Sequence, residues 1–446
     1  MVDDVVASPR GSVARAPRVA LAILTLINLL NYLDRYVVAA VAEALKRSPL
    51  HPSDAQIGLL QSGFIVVYML VAPVFGALGD TRSRTRLIGW GIALWSVATA
   101  LGGLAWSYLS LLGARALVGI GEAAYATIAP ALLADLFPLR LRARAFAIFF
   151  AATPVGAALG YVLGGTVGAQ FGWRAAFLVA GVPGLVLAVF AFLLHDPPRG
   201  AHDGAGVDAT RPSGAAHATP TLGAASDVHA RPRGWRAYTS LLRNRRYVVT
   251  VLGYAAYTFA LGGIAWWMPA FLERVRGLSP IVATRNFGLM VVVTGFAGTF
   301  AGGWVADYFL RYSRQSYLWV AGLTTLAAVP LTVVAFSAAA PSAFWLSLTV
   351  AELLLFASTG PINSVVVDVV SPTMRASAMA LNILAIHVLG DVPSPYLIGL
   401  ISDRSSLQHA VMIIPIALLV GGVIWTVAAW SGPGARGSAL APVRGA

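Results

Sequence analysis

The stretch Gly76-Ala-Leu-Gly-Asp-Thr-Arg-Ser-Arg-Thr-Arg86 ends one long apolar run of the sequence and begins the next. Its first five residues, a glycine followed four positions later by an aspartate, recur 227 positions further on as Gly303-Trp-Val-Ala-Asp307. A second pattern recurs at nearly the same distance, since Arg142-Ala-Arg-Ala-Phe-Ala and Arg375-Ala-Ser-Ala-Met-Ala lie 233 positions apart. Two patterns repeated at one spacing indicate a chain built of two related halves.

The composition predicts a membrane protein. Of 446 residues, 58% are hydrophobic and 11% are charged, against about 45–50% and about 25% in soluble domains. The apolar residues form runs near or above the roughly 20 residues that a membrane-spanning helix needs, and glycine and alanine recur inside them, as in closely packed helices. We therefore expect an all-α bundle of twelve spans at 19–43, 54–79, 87–106, 108–136, 143–170, 173–194, 246–272, 281–308, 316–338, 343–370, 374–401 and 409–430.

These spans divide the chain into two six-helix halves, 19–194 and 246–430. Tails are expected at 1–18 and 431–446, and a linker rich in Pro, Gly and Ala at 195–245. Within the linker, Trp235–Arg246 carries apolar residues at helical spacing among arginines. This segment fits a short helix on the membrane surface or an extension of the next span, and the sequence leaves both open.

The basic residues indicate an orientation in the membrane. The net charge is +13, with 31 Lys and Arg, of which 22 fall on the side of the termini and 7 on the other side. By the positive-inside rule both termini are cytoplasmic. The charge is thus a topology signal, and we expect no nucleic-acid partner. Abundant Ala and 30 Arg against one Lys suggest a bacterial inner membrane.

Several classes of chemistry lack the residues they need. The chain has no cysteine, which removes thiol catalysis, disulfides and thiolate metal sites. It also lacks a P-loop, an H-E-x-x-H and a G-x-S-x-G motif, and no His, Asp and Glu residues have metal-ligand spacing. We therefore expect no enzyme and no cofactor.

The repeated motif resembles the loop signature of the major facilitator superfamily between its second and third helices, although Ser83 or Thr85 replaces the usual second glycine. The resemblance implies two six-helix halves that move against each other. Glycine would allow close helix packing, and the charges would form a network when the halves close on that side. A plain solvated loop is the alternative. The expected gating residues are Gly76, Asp80, Arg84 and Asp307.

Four ionisable residues lie at membrane depth in two spans. Arg115 and Glu122 are seven residues apart, which places them two turns and about 10 Å apart on one helix face. Asp34 and Arg35 are adjacent in the first span. Because a buried charge in a membrane is costly, we expect these groups to be functional, with pairs Arg35–Glu122 and Asp34–Arg115. Ion pairs that only tie the first and fourth helices together are the alternative.

The amino-acid sequence of the spans resembles that of the Spinster family of lysolipid and sphingosine-phosphate transporters. The stretches that carry the resemblance are Asn31–Tyr36, Arg115–Pro130, Pro361–Asn363 and His387–Asp403. It implies a proton-linked transporter whose coupling acids match Asp34 and Glu122, with the arginines at 35 and 115 receiving the anionic head of the substrate. We expect a monomer whose partners are protons, membrane lipids and a small amphipathic or anionic substrate.

Further polar and aromatic residues are expected around that substrate. His387 and Asp391 are four residues apart on one helix face, near Gly390 and Pro393, which predicts a polar element beside a bend. A histidine that only packs helices is the alternative. The other expected contacts are Asn31, Tyr36, Tyr125 and Asn363. A proton symporter for small organic or aromatic acids and a non-transporting lipid sensor remain open as alternative functions.

Overall fold

The computed structural model describes residues 15–201, 235–371 and 374–431, and the elements in them are helices. The predicted tails and most of the predicted linker lie outside these residues. The twelve long helices are α1 (Arg15–Ala40), α2 (Asp54–Thr81), α3 (Arg84–Gly103), α4 (Tyr108–Leu136), α5 (Leu139–Phe171), α6 (Trp173–Phe192), α7 (Arg245–Arg274), α8 (Pro280–Leu310), α9 (Ser316–Ser337), α10 (Pro341–Asp368), α11 and α12 (Ile413–Trp430). Helix α11 has three parts, Arg375–Ile386, one π-helical turn at His387–Asp391, and Pro393–Arg404.

Eleven helices in the described ranges are long and apolar enough to cross a membrane. The remaining long helix, α3, has 20 residues, begins with Arg84 and Arg86, and packs between α4 and α6. The predicted all-α bundle is confirmed. Three short helices complete the described part of the fold, at Ala42–Lys46, Trp235–Arg243 and Leu407–Ala410.

The segment Trp235–Arg243 is a separate helix rather than an extension of α7. Asn244 separates the two helices. Its side-chain oxygen accepts hydrogen bonds from the backbone N–H groups of Arg246 and Tyr247 at the start of α7. A side chain that binds the first free N–H groups in this way caps a helix N-terminus. At the other end of the chain, α1 begins four residues earlier than the predicted span.

The two halves repeat the same packing. In the first half α1 packs on α5, α2 on α4, and α3 on both α4 and α6. In the second half the corresponding helices pair in the same way: α7 with α11, α8 with α10, and α9 with both α10 and α12. The halves meet along two further pairs, α2 with α11 and α5 with α8. The first helices of the two halves, α1 and α7, also contact each other.

Glycines bring the halves together near one end of the bundle. We call this end, where α1 ends and α2 begins, the loop face, and the end that holds the start of α1 the terminal face. A Cβ on Gly58 of α2 would clash with the carbonyl of Pro395, and one on Gly399 of α11 would clash with the carbonyl of Asp54. A Cβ on Gly165 of α5 would clash with Thr284 of α8. Small residues therefore allow backbone contact between the halves at the loop face.

Ion pairs also join the halves at the loop face. The Arg274 guanidinium at the end of α7 binds Glu43, with Nε 2.9 Å from Oε1, and Asp54, with Nη1 2.6 Å from Oδ2. Arg47 pairs with Glu273 across the same gap. The Asp403 carboxylate accepts two backbone N–H groups at the start of α2, at 2.8 and 2.9 Å, where a helix favours negative charge.

The predicted gating residues lie near the terminal face, within each half. Arg84 binds Asp135 and Asp196, with Nε 2.8 Å from Oδ1 of Asp196, which ties the start of the linker to the first half. Asp80 is exposed, and Asp307 accepts a hydrogen bond of 2.8 Å from Tyr317 of its own half. A charge network between the halves at this face stays a prediction for a state in which they close there.

Gly76 packs less tightly than the sequence suggested. A Cβ at this position would meet Thr127 of α4 at 3.6 Å, an ordinary contact distance. At Gly79 the nearest atom, on Ile128 of α4, would be 3.0 Å away. Gly79 therefore lies closer to α4 than Gly76 does.

We predict that Arg274→Met opens the loop face. The change leaves Glu43 without its guanidinium and takes two contacts from Asp54, which weakens closure by about 1.5–3 kcal/mol, the range for hydrogen bonds to charged groups. Spin labels on Cys introduced at Trp106 and Ala340, in a chain with no native cysteine, should report longer distances. Arg285→Met is the control, because Arg285 is exposed at the same face and, within the described ranges, hydrogen-bonds only its neighbour Asn286. Identical distances in Arg274→Met and the parent would contradict the prediction.

Candidate functional site

A cavity of about 410 Å³ lies between the two halves. Its wall is built by residues of α1, α2, α4 and α5 from the first half and of α7 and α11 from the second. The volume falls within the range of small-molecule sites, about 300–1,000 Å³. The cavity is therefore the candidate site, and its two walls differ in charge.

An arginine on α1 provides the cationic group of the first wall. Arg35 lines the cavity, and its Nη2 lies 2.6 Å from Oε2 of Glu122 on α4. The Arg35 side chain is 20% exposed, whereas the Glu122 side chain is fully buried. The predicted Arg35–Glu122 pair is confirmed, and only its cationic partner faces the cavity.

Aromatic rings surround the Arg35 guanidinium. Its carbon atom lies 5.1 Å from the ring centre of Tyr32, 5.0 Å from that of Phe64 and 5.9 Å from that of Tyr68. A guanidinium over an aromatic face gains electrostatic attraction, more so where water is excluded. All three rings line the cavity, so the same side chains hold the cation and offer apolar surface to a ligand.

The second predicted pair, Asp34 with Arg115, is not formed. Oδ2 of Asp34 accepts a hydrogen bond of 2.5 Å from Thr99 on α3, and the Arg115 guanidinium lies 4.7 Å from the ring centre of Phe64. The reason is geometric, since neighbouring residues on a helix point about 100° apart. With Arg35 turned to the cavity, Asp34 turns towards α3. Asp34, Glu122 and Arg115 are buried behind the wall rather than in it.

The second wall carries an imidazole and a carboxylate. Nδ1 of His387 lies 2.8 Å from Oδ1 and 3.0 Å from Oδ2 of Asp391, and both residues line the cavity. They bound the π-helical turn of α11, in which the backbone N–H of Val392 donates to the carbonyl of His387. Such turns inside α-helices often occur at functional sites. The bend expected near Gly390 and Pro393 is this turn.

The remaining expected contacts divide between the cavity and the helix packing. Asn31, Tyr36 and Tyr125 line the cavity. Asn363 lies outside the lining, because its amide donates hydrogen bonds to the Tyr254 hydroxyl at 3.1 Å and to the Thr359 carbonyl at 2.8 Å. Asn363 therefore joins α7 to α10 in this structure and does not reach the cavity.

Two polar residues with free hydrogen-bonding atoms were not expected. Gln61 on α2 lines the cavity, and its Oε1 has no hydrogen-bond partner among the described residues. Glu352, on α10, is a buried carboxyl outside the lining. Only Glu352 has a clear signal in the sequence, since it interrupts the apolar run of α10.

The chain is similar to known transporters over most of its length. A family profile for the Major Facilitator Superfamily matches residues 24–392. Protein spinster homolog 1 of Mus musculus is 37% identical over 406 residues, which covers 86% of this chain and 72% of that protein. Protein spinster homolog 3 of Danio rerio is 34% identical over 445 residues, which covers 92% and 84%.

Solved structures share the fold. A bacterial homologue of the human lysosomal transporter Spinster, in an inward-facing and unoccupied conformation, superposes with a TM-score of 0.80 at 23% identity, covering 93% of this chain and 97% of that one. The nucleoside transporter NupG gives 0.65 at 12% identity, covering 92% and 97%. The repeated six-helix halves, the profile match and the curated relatives agree, and the chain belongs to the major facilitator superfamily and, within it, to the Spinster family of transporters.

Proposed function

We propose that this transporter is proton-coupled and moves an amphipathic anionic lipid, such as a lysophospholipid or a sphingosine-phosphate-like molecule, by alternating access. The observation that carries the proposal is the Arg35–Glu122 ion pair, in which the arginine faces the cavity and the carboxylate is buried behind it. The Glu122 carboxylate and an anionic head would thus compete for one guanidinium, and a proton on Glu122 would favour the head.

The coupling follows from the charges. When Glu122 is ionised, its carboxylate occupies the Arg35 guanidinium at 2.6 Å. When Glu122 binds a proton, that attraction is lost and the guanidinium is free to hold a phosphate by two hydrogen bonds. Proton and substrate therefore favour each other's binding, which is the condition for their transport in one direction together.

Asp34 is the second proposed coupling acid. Its Oδ1 has no hydrogen-bond partner among the described residues, and neither do the three guanidinium nitrogens of Arg115. These groups interact electrostatically without direct contact. A small shift of α1 against α4 would let them pair, so Asp34 could exchange its bond to Thr99 for one to Arg115 during the cycle.

The apolar part of the cavity suits an acyl chain. Tyr32, Phe64 and Tyr68 flank the cation, while Phe150 and Ile383 line the cavity and are about half exposed. A lysolipid needs an anion site and an apolar slot in one cavity. We propose that its tail leaves the bundle between α5 and α8 or between α2 and α11, nearer the terminal face, because glycine contacts close both seams at the loop face.

The membrane side follows from the positive-inside rule. We propose that the terminal face is cytoplasmic and that the membrane is a bacterial inner membrane, with a monomer as the working unit. Locked at the loop face by Arg274 and Arg47, the structure would then represent the state open to the cytoplasm.

Glu122→Gln should separate binding from coupling. The amide mimics the protonated acid and leaves Arg35 free, so we expect tight binding of an anionic lysolipid that no longer depends on pH and a loss of proton-driven flux. In the parent protein, affinity should rise as pH falls, by about tenfold to a hundredfold, the value of a hydrogen bond to a charged group. Calorimetry across a pH series and flux in proteoliposomes measure both quantities.

Glu122→Asp is the matched control, since it keeps a carboxyl and should keep the pH dependence. Proton-driven flux that survives in Glu122→Gln would overturn the assignment of Glu122.

Affinity should rise with the length of the lipid chain. Each buried methylene contributes up to about 0.8 kcal/mol, so two more should tighten binding by up to about tenfold until the slot is filled. Titration with lysophospholipids of increasing chain length measures this. Affinity that is independent of length, together with tight binding of a compact aromatic acid, would favour the organic-acid symporter, whereas binding without flux would favour a lipid sensor.

A further inference from the structure

One buried carboxyl takes no part in the site described above. Glu352 lies in the middle of α10 and is 2% exposed. In the described part of the chain it has neither an ion pair nor a hydrogen-bond partner. Glu122, in contrast, forms an ion pair with Arg35. An unpaired carboxylate inside a protein costs several kcal/mol, and more within a membrane. A residue kept there for packing alone would be better replaced by leucine.

The repeat of the two halves gives Glu352 a counterpart. Glu122 precedes it by 230 positions, between the two repeat offsets of 227 and 233. The proline kinks agree, because Pro130 follows Glu122 by eight residues and Pro361 follows Glu352 by nine. Helices α4 and α10 also occupy equivalent places, each packed on the second and third helices of its half. By the spacing of the prolines, the two acids therefore lie within one residue of equivalent positions in the repeat.

The cation of the first half has no such counterpart. The same offset of 230 leads from Arg35 on α1 to Ala265 on α7, and from Arg115 on α4 to Trp345 on α10. The second half thus keeps the acid and lacks both arginines. A carboxyl that cannot pair with a resident cation or hold an anion has the proton as its simplest ligand.

Three tyrosines interact electrostatically with Glu352, and one of them lines the cavity. They are Tyr36 of α1, Tyr161 of α5 and Tyr257 of α7. Tyr36 lines the cavity, and its ring centre lies 5.0 Å from that of Tyr161. Ion pairs from charged groups of α8, α9 or α11 to Glu352 are absent from the described residues.

The tyrosine contacts cross the boundary between the halves. The Tyr161 hydroxyl of the first half donates a hydrogen bond of 2.6 Å to the carbonyl of Ala265 in the second, and the Tyr161 ring lies against Phe287 of α8. When the halves rock, these contacts must change. The barrier between Glu352 and cavity water therefore depends on the conformational state.

From this geometry we propose that Glu352 is a second proton-binding residue of the transport cycle, the repeat counterpart of Glu122 without its arginine. In the state closed at the loop face, Tyr36 and Tyr161 shield the protonated acid. Rocking of the halves admits water, the O–H bond of the acid breaks, and the proton leaves to that water. The proposal rests on proton coupling as proposed above and adds one proton to it.

Infrared difference spectroscopy tests the proton site without transport. The full chain in lipid bilayers, without added substrate, is taken from acidic to alkaline pH, and carboxyl C=O bands that disappear report acids that lose protons. We expect Glu352→Gln to lack a band that the parent and Glu122→Gln both show. Glu352→Asp should retain the band at a shifted frequency. This shift assigns the band to residue 352 even if Glu352→Gln does not fold. Identical bands in the parent, Glu352→Gln and Glu352→Asp would overturn the proposal.

Flux measurement tests the role in transport. Proteoliposomes with an internal pH dye and a fluorescent oleoyl lysophosphatidylglycerol give proton and lipid fluxes in one sample. We expect Glu352→Gln to move one proton fewer per lipid than the parent, while lipid exchange without a pH gradient continues. An unchanged ratio would overturn the role of Glu352. Lipid flux without proton flux in the parent would instead overturn proton coupling itself, and the infrared bands would still decide whether Glu352 binds a proton.

Discussion

A charge inside a membrane-spanning bundle needs a counter-charge, and the Arg35–Glu122 pair is where this constraint acts most directly. Taking both groups out of water costs several kcal/mol each, and their attraction over 2.6 Å offsets that cost only while the geometry holds. The aromatic rings around the guanidinium supply further attraction and exclude water. The pair therefore fixes α1 against α4, and it does so at the cavity wall, where a ligand can reach one partner only.

The two halves share their packing and differ in their charges. The helix pairs of the first half recur in the second, in agreement with the two motifs that recur along the sequence. The arginines of α1 and α4 do not recur on α7 and α10, where Ala265 and Trp345 stand. A symmetric scaffold thus carries an asymmetric site, with the cation on one wall and the His387–Asp391 pair on the other. Such a cavity would orient the proposed ligand, which is polar at one end.

The sequence predicted the scaffold better than the contacts within it. Span length and charge placement respond to membrane thickness and polarity, and those constraints leave a strong pattern along the chain. The Arg35–Glu122 pair followed from membrane depth alone. Asp34 was paired wrongly with Arg115, because the rotation of α1 that turns Arg35 to the cavity is set by packing. Packing also decides the place of Asn363, which bonds to Tyr254 and Thr359 among the helices and does not reach the cavity.

Three other features left a partial signal in the sequence or none. The π-helical turn of α11 coincides with Gly390 and Pro393, although glycine and proline predict a bend without its type. Glu352 was visible as a lone acid in an apolar span, and only the repeat shows that it corresponds to Glu122. Gln61 gave no signal, since a glutamine near a helix end is ordinary until the opposite half is placed against it.

The contacts that close the loop face determine how much free energy is needed to open it. Closure there combines backbone contacts at Gly58 and Gly399 with the carboxylates that bind Arg274. A ligand changes the balance between two states only by binding one of them better, however tightly it binds. Arg35 alone cannot supply that difference if it stays paired with Glu122 in both states. Under the proposed coupling the guanidinium changes partners between the states, so a proton on Glu122 and an anion on Arg35 would act together on the same equilibrium.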